Sequence, residues 1–312
     1  MSTLVLDAAA TAAGLDPAAV AEAVGKALVE IARDTVSVPP RVAAFAPAGL
    51  VGAMPGHVPG VGLAAKLVSV FGDPERPGRS THRGIVALFD EDDGRVLALM
   101  DGGAITAVRT AAVATVALRA LAGTPERIAI VGTGVQAAAQ ADLLAALLPG
   151  VPVVVGGRAR GRAEAVAARC PGAVAAGVEE AVRGAGAVLC CTGATEPVVR
   201  PEWLAGGVHL GSVGGSHGPE IDPAVVGAGT LFVEWRGAVT EPPPAGAHEL
   251  QGLDPARATL LGSVLDGRRP GRTSAAETTV FKSTGHAALD VAAAAVVHAH
   301  ARARGLGVEV AF

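Results

Sequence analysis

The stretch Arg127-Ile128-Ala129-Ile130-Val131-Gly132-Thr133-Gly134-Val135-Gln136-Ala137 decides the fold. A continuous apolar run, of the kind buried parallel strands carry, enters a glycine turn, and an alanine-rich helical segment leaves it. This is a G-x-G-x-x-A dinucleotide fingerprint in its strand–turn–helix setting. Gly132 permits the tight turn, Gly134 lets the backbone approach a pyrophosphate, and small Ala137 lets the helix pack close to the strand. At Val135 and Gln136 the helix N-terminus offers free N–H groups and the positive end of its dipole to phosphates. Gly132, Gly134, Val135 and Gln136 are therefore candidate cofactor contacts.

Downstream of Gly123, strands and helices alternate, the pattern of a parallel sheet. Strands are expected at Ile128–Val131, Val151–Val155, Ala187–Thr192, Val208–Val213, Leu231–Glu234 and Thr278–Phe281, with a helix at Val178–Arg183. The stretch Glu241–Arg272 shows no clear period, and Pro242-Pro243-Pro244 places a loop at its start. Ala287–Arg304 reads as a terminal helix that returns to the first domain. Upstream, Asp16-Pro17 caps a helix running to about Arg33, with Val20, Val24, Leu28 and Ile31 on one face. Strands are expected at Val36–Val38, Gly49–Met54 and Val61–Phe71, and a hairpin pairs Gly84–Phe89 with Arg95–Met100 around Asp92-Asp93-Gly94. A long alanine-rich helix covers Thr106–Ala122. The fold class is thus α/β: a Rossmann dinucleotide-binding domain over 123–285, beside a mixed, largely antiparallel α+β domain over 1–122 with 286–312.

The chain has 312 residues, half of them hydrophobic, and a formal net charge of −4. That charge, with no long basic run, argues against a nucleic-acid partner. Cys170, Cys190 and Cys191 are odd in number and two are adjacent, which suits a reducing compartment better than a disulfide framework. Met1–Ala10 has no basic n-region, and apolar runs are broken by Gly, Pro or charge short of the ~20 residues a membrane span needs. A cytoplasmic location away from membranes is expected. His298-x-His300 points to two helix faces, so no metal site is expected.

Several segments outside the fingerprint are more specific: Met54-Pro55, Lys66-Leu67-Val68, Leu99-Met100-Asp101-Gly102, Ile105 through Ala112, and Thr279-Val280-Phe281-Lys282-Ser283. In this order and spacing, over nearly the whole chain, they resemble the ornithine cyclodeaminase/μ-crystallin family. The resemblance implies a homodimeric enzyme with a nicotinamide-binding Rossmann domain and a separate substrate and dimerisation domain. It places the family's substrate-carboxylate cations on Arg41, Lys66 and Arg109. A guanidinium fork suits a carboxylate, and a neighbouring lysine can act as point charge or proton donor. Lys66 and Arg109 are the catalytic candidates. The resemblance also places a hydroxyl contact to the cofactor on Thr81, with His82 beside it lining the cleft, and a contact near the nicotinamide on Ser283. Thr192 and Thr195 follow the fourth Rossmann strand at the sheet's carboxyl edge, where ligands bind, and Arg109, Thr192, Val213 and Gly214 are further cofactor candidates.

Two departures direct the reaction. Cyclodeaminases of this family carry a Glu just before Met-Pro, where this chain has Gly52-Ala53. They also carry an Asp after the fifth Rossmann strand, where this chain has Ser216, a candidate substrate contact. Without both carboxylates, reduction of a C=N bond in a small, cyclic α-imino acid is expected, as in the ketimine reductase branch. The alternatives are an alanine-dehydrogenase-like enzyme and a cyclodeaminase-type lyase. The second Rossmann strand ends in Gly156-Gly157-Arg158, and no acid occurs from Leu143 through Ala163. An acid there would bind a ribose 2′-OH, whereas Arg158 suits a 2′-phosphate, so NADPH is expected over NADH.

Overall fold

The computed structural model describes residues 2–72 and 80–311; the side chains of residues 80–82 are outside the description. The first half runs β1 (Ser2–Leu6), α1 (Ala8–Gly14), α2 (Pro17–Ala32), β2 (Val42–Ala46), β3 (Gly49–Val58), β4 (Gly62–Gly72), β5 (Ser80–Phe89), β6 (Val96–Asp101) and α3 (Gly102–Leu121). Then follow β7 (Ile128–Val131), α4 (Val135–Leu147), β8 (Val153–Gly156), α5 (Arg160–Ala167), β9 (Val174–Ala176), α6 (Val178–Val182), β10 (Ala187–Cys190), β11 (His209–Ser212), α7 (Pro223–Ala228), β12 (Thr230–Val233), α8 (Gly237–Thr240), β13 (Ala258–Leu260), α9 (Leu261–Leu265) and β14 (Thr279–Lys282). The chain ends with α10 (Ala287–Arg304) and β15 (Val308–Ala311).

Two compact units result, Met1–Arg109 with His286–Phe312, and Thr110–Gly285. The first division falls inside α3, whereas the sequence reading places it at residue 122. A helix need not end where its packing partners change. By length and composition α3 is also apolar enough to cross a membrane, a feature the sequence reading passes over. Of its most apolar stretch 67 % is buried, as in a core helix.

The first unit is a seven-stranded sheet of order β15-β1-β6-β5-β4-β3-β2, antiparallel except for the β1–β6 pair. Helix α2 starts at its Asp16 cap, whose carboxylate accepts from Ala19 N, and buries Val20, Val24, Leu28 and Ile31. Helix α10 packs on α1 and α2 and across β3, β4, β5 and β6. The expected strand at Val36–Val38 is only an isolated bridge, Ser37 to His57. Pro39 and Pro40 follow it and cannot donate to a ladder. Asp101 ends β6 and accepts from Ala104 N at 2.7 Å, capping α3.

The second unit is an eight-stranded parallel sheet of order β13-β12-β14-β11-β10-β7-β8-β9. Order reverses at β7, which lies between β8 and β10; ligands of doubly wound sheets bind at such a switch point, outside the carboxyl ends of the strands. Its core joins Ile128 and Ile130 of β7, Val153 and Val155 of β8, and Ala137, Ala141 and Leu144 of α4.

Candidate functional site

In the first unit one cross-strand row runs Met54, Lys66, Val86, Met100 through β3, β4, β5 and β6. Val86 and Met100 are fully buried and Lys66 is 6 % exposed. An ammonium in that row needs a partner, because burying it alone is costly. The partner is Asp290 of α10. Lys66 Nζ lies 2.7 Å from its Oδ2, and Arg109 Nε donates to its Oδ1 at 3.0 Å. The sequence reading leaves this role to a bound carboxylate; the chain supplies one carboxylate itself.

Electrostatics extend the cluster. Burial alone would raise the Asp290 carboxyl; Lys66 and Arg109 overcome that and hold it below the usual carboxylate range. Burial lowers the Lys66 ammonium, with Arg109 and Arg41 adding to the effect and Asp290 opposing it. His286, one turn before Asp290, is pushed down to about 4 by burial, helped by Arg41 and Arg109. Arg41 thus acts on both Lys66 and His286. Among the described residues the site brings together Arg41, Lys66 and Arg109 with one carboxylate and an imidazole that is neutral at pH 7. Thr81 and His82 lie in β5, and their side chains are outside the described residues.

Asp290 and His286 were missed by sequence reasoning. A signal was present: Asp290 is the one charged residue between Ala287 and Val297. Within that stretch, residues Ala287 to Ala294 are buried throughout. A helix apolar all round is a core helix, and a carboxylate in it needs a buried cation.

In the second unit the dinucleotide fingerprint takes its expected form. Gly132 has φ +133°, and a Cβ there would collide with the Cys191 carbonyl oxygen, so only glycine fits. At Gly134 a Cβ would meet nothing within 4 Å, and this N-cap makes no side-chain hydrogen bond to α4. Open space thus lies beside this bare glycine at the start of a 13-residue helix. That fits a pyrophosphate. Val135 opens the helix 73 % exposed. Arg158 follows β8 as an exposed residue, whereas Arg160 pairs with Glu164 at 2.9 Å.

The remaining candidates sit at the carboxyl ends of β10, β11 and β14. The Thr192 hydroxyl is turned inward, where Oγ1 donates to buried Glu220 at 2.7 Å. Gly214 N donates to the same carboxylate at 2.9 Å, while Val213 is half-buried and Ser216 exposed. Ser283 is 2 % exposed, and its hydroxyl donates to Glu234 Oε2 at 2.8 Å. Glu234 also accepts from Thr284 N at 2.9 Å and from Gly285 N. These buried carboxylates shape the loops in which the candidates sit, and nothing in the sequence pattern singled them out.

The family model described as the ornithine cyclodeaminase/mu-crystallin family matches residues 1–305. The mouse ketimine reductase mu-crystallin is 34% identical over 256 residues, 80% of each chain. The solved structure of Thermococcus litoralis Δ1-pyrroline-2-carboxylate reductase, in complex with NADH and L-proline, superimposes with a TM-score of 0.87 at 26% identity, covering 99% of this chain and all of that one. An archaeal alanine dehydrogenase dimer with bound NAD gives a TM-score of 0.87 at 27% identity, over the full length of both.

Proposed function

The chain belongs to the ornithine cyclodeaminase/mu-crystallin family, and from that premise we propose that it is an NADPH-dependent reductase of a small, cyclic α-imino acid. That it is a nicotinamide-dependent oxidoreductase acting on imines rests on its reductase relatives and on the NADH and NAD held by its structural neighbours. The finer reading rests on this chain's own residues.

The observation that carries it is the charge imbalance around Asp290. Among the described residues Lys66 and Arg109 share this one carboxylate inside an apolar row, a surplus of positive charge that one more anion from outside would balance. A substrate carboxylate is that anion, held by Arg109 and Arg41 with Lys66 beside it. A bound nicotinamide dinucleotide supplies the hydride. Lys66 holds a proton that burial makes easier to release, and it is the candidate donor to the substrate nitrogen. Asp290 keeps Lys66 and Arg109 at fixed separation, and so acts as a positioning residue.

Preference for the 2′-phosphate rests on exposed Arg158 just past β8, in a stretch with no acid to bind a 2′-OH. Dimerisation through the first unit rests on the opposite sheet face. There Val42, Ala53, Leu67 and Ile85 form one row across β2, β3, β4 and β5, with Val42 64 %, Leu67 41 % and Ile85 45 % exposed. A contiguous apolar row of this kind marks an interface. Light scattering should give about twice 30.6 kDa; a species of that single mass at micromolar concentration would remove the dimer.

The reaction is tested by following the NADPH absorbance band with five- and six-membered cyclic α-imino acids and with pyruvate plus ammonia, and by assaying ammonia and proline released from L-ornithine in the presence of NAD, a redox-neutral conversion that leaves the band unchanged. Turnover on a preformed cyclic imine, well above the other two, is expected. Preference for pyruvate and ammonia would make the chain an amino-acid dehydrogenase, and release of ammonia from ornithine would restore the cyclodeaminase reading despite Ala53 and Ser216.

A further inference from the structure

The carboxyl ends of β10, β11 and β14 meet in a buried polar cluster that the proposed chemistry does not use. Glu220 is fully buried in the loop between β11 and α7. Its Oε1 accepts from Thr192 N at 2.5 Å and from Thr192 Oγ1 at 2.7 Å. Its Oε2 accepts from Ser212 Oγ at 2.7 Å and from Gly214 N at 2.9 Å. Lys282, 1 % exposed at the end of β14, donates to Ser212 Oγ at 2.8 Å and to Gly214 O at 3.0 Å, and lies 2.8 Å from Glu249.

The polarity of this cluster leaves one arrangement. An ammonium only donates and a carboxylate only accepts, so the Ser212 hydroxyl takes a hydrogen bond from Lys282 and gives its own proton to Glu220. Gly214 is held the same way, its N–H on an anion and its C=O on a cation. A Cβ on Gly214 would collide with the Thr192 carbonyl oxygen and lie 2.6 Å from Glu220 Oε1. The loops leaving β10 and β11 are thus fastened to one carboxylate and locked in orientation by one ammonium. Burying these charges is costly, and apolar side chains would hold the strands as well without orienting the exit loops.

In the sheet order, β10 and β11 lie on one side of β7, and β8 lies on the other. A dinucleotide bound across this switch point puts its adenosine half beside β8 and its nicotinamide half beside β10 and β11. We infer that Glu220 and Lys282 are positioning residues for the nicotinamide half of the cofactor, acting by clamping Gly214 and Thr192. The inference rests on nicotinamide dinucleotide being the cofactor, and its consequence is selective. Loosening the clamp should weaken contacts to the nicotinamide half and leave the adenosine half unaffected.

The test compares two ligands that differ only by nicotinamide. Dissociation constants are measured by calorimetry for NADPH and for 2′-phospho-ADP-ribose, in the wild-type protein and in Glu220→Gln. The amide keeps the shape but cannot accept all four donors. Glu220→Gln should weaken NADPH by about tenfold or more, the scale of a lost set of charge-assisted hydrogen bonds, and change the fragment less than about twofold. Ser212→Ala, which keeps every charge and removes one donor to Glu220, should show a smaller loss with the same selectivity. It decides the matter if Glu220→Gln does not fold. Equal weakening of both ligands, or no change in either, overturns the inference. If the wild-type protein binds neither NADPH nor NADH, the cofactor reading itself fails, a result distinct from a lost selectivity.

Discussion

The charge clusters of the two units have opposite proportions. In the first, one carboxylate among the described residues, Asp290, serves Lys66 and Arg109, with Arg41 close enough to act on both Lys66 and His286. In the second, one ammonium, Lys282, lies against Glu249 and shares Ser212 and Gly214 with Glu220. The surplus differs in what can satisfy it. Surplus carboxylate oxygens find partners in backbone N–H groups and hydroxyls, as Glu220 does four times, while Glu249 leans on Lys282 and its Oε2 has no hydrogen-bond partner among the described residues. A surplus cation in the middle of a sheet needs acceptors, and the carbonyls around it are already engaged in the ladder. On the proposed function, its remaining partner is the substrate carboxylate. The carboxylate that backbone donors satisfy fastens loops; the surplus of cations is the seat proposed for a substrate carboxylate.

Removing the shared carboxylate should have the largest effect. Asp290→Leu leaves Lys66 and Arg109 uncompensated and should destabilise the first unit by about 3–5 kcal/mol in denaturant unfolding. Adding Lys66→Met should recover part of that loss, because one stranded charge goes with it. Additive losses in the double variant would mean that the two residues are not coupled and would break the contrast between the units.

Arg158→Ala should cost roughly 1.5–3 kcal/mol of NADPH binding, about ten- to a hundredfold, and leave NADH binding unchanged. Equal affinity of the wild-type protein for both cofactors would remove the 2′-phosphate reading while leaving both clusters in place.

A smaller effect concerns acid. His209 in β11 is fully buried, its Nδ1 2.9 Å from Thr279 Oγ1, and burial, aided by Arg272, pushes it down to about 3 from 6.5. The unfolded chain takes up a proton on this ring below pH 6.5 while the folded unit does not. The stability it contributes is complete above pH 6.5 and falls as pH drops toward 3, by up to about 1.4 kcal/mol per pH unit. Melts of His209→Asn between about pH 6 and 4.5 should show a correspondingly flatter pH dependence; an unchanged slope would mean that the ring is not buried neutral.

Much of the fold was legible in the sequence. Strands β7, β10 and β14 and helix α10 follow from continuous apolar runs, the glycine fingerprint and helical period, which do not depend on distant partners. Strands β2 and β15 were missed because they are only five and four residues long and exposed throughout, so no buried face marks them. Strand β1 is a short segment near the N-terminus whose pairing with β6 is far away in sequence. Of the site, Lys66 was legible as a charge in an apolar strand, and Arg41 and Arg109 through the family resemblance. Asp290 was hidden among alanines, and Glu220 in the loop Gly218-Pro219-Glu220, where only the folded sheet shows that two strand ends converge on it.

The central claim, that the cation-rich cluster of the first unit exists to hold and protonate an α-imino acid, rests most directly on Lys66. Steady-state reduction of a five-membered cyclic α-imino acid should be measured in the wild-type protein and in Lys66→Met, with NADPH affinity titrated in both as the control for folding. The expected result is a loss of at least about a hundredfold in turnover with cofactor affinity unchanged. Near-normal turnover in Lys66→Met would show that the ammonium only neutralises Asp290, and would leave the cluster without a part in the reaction.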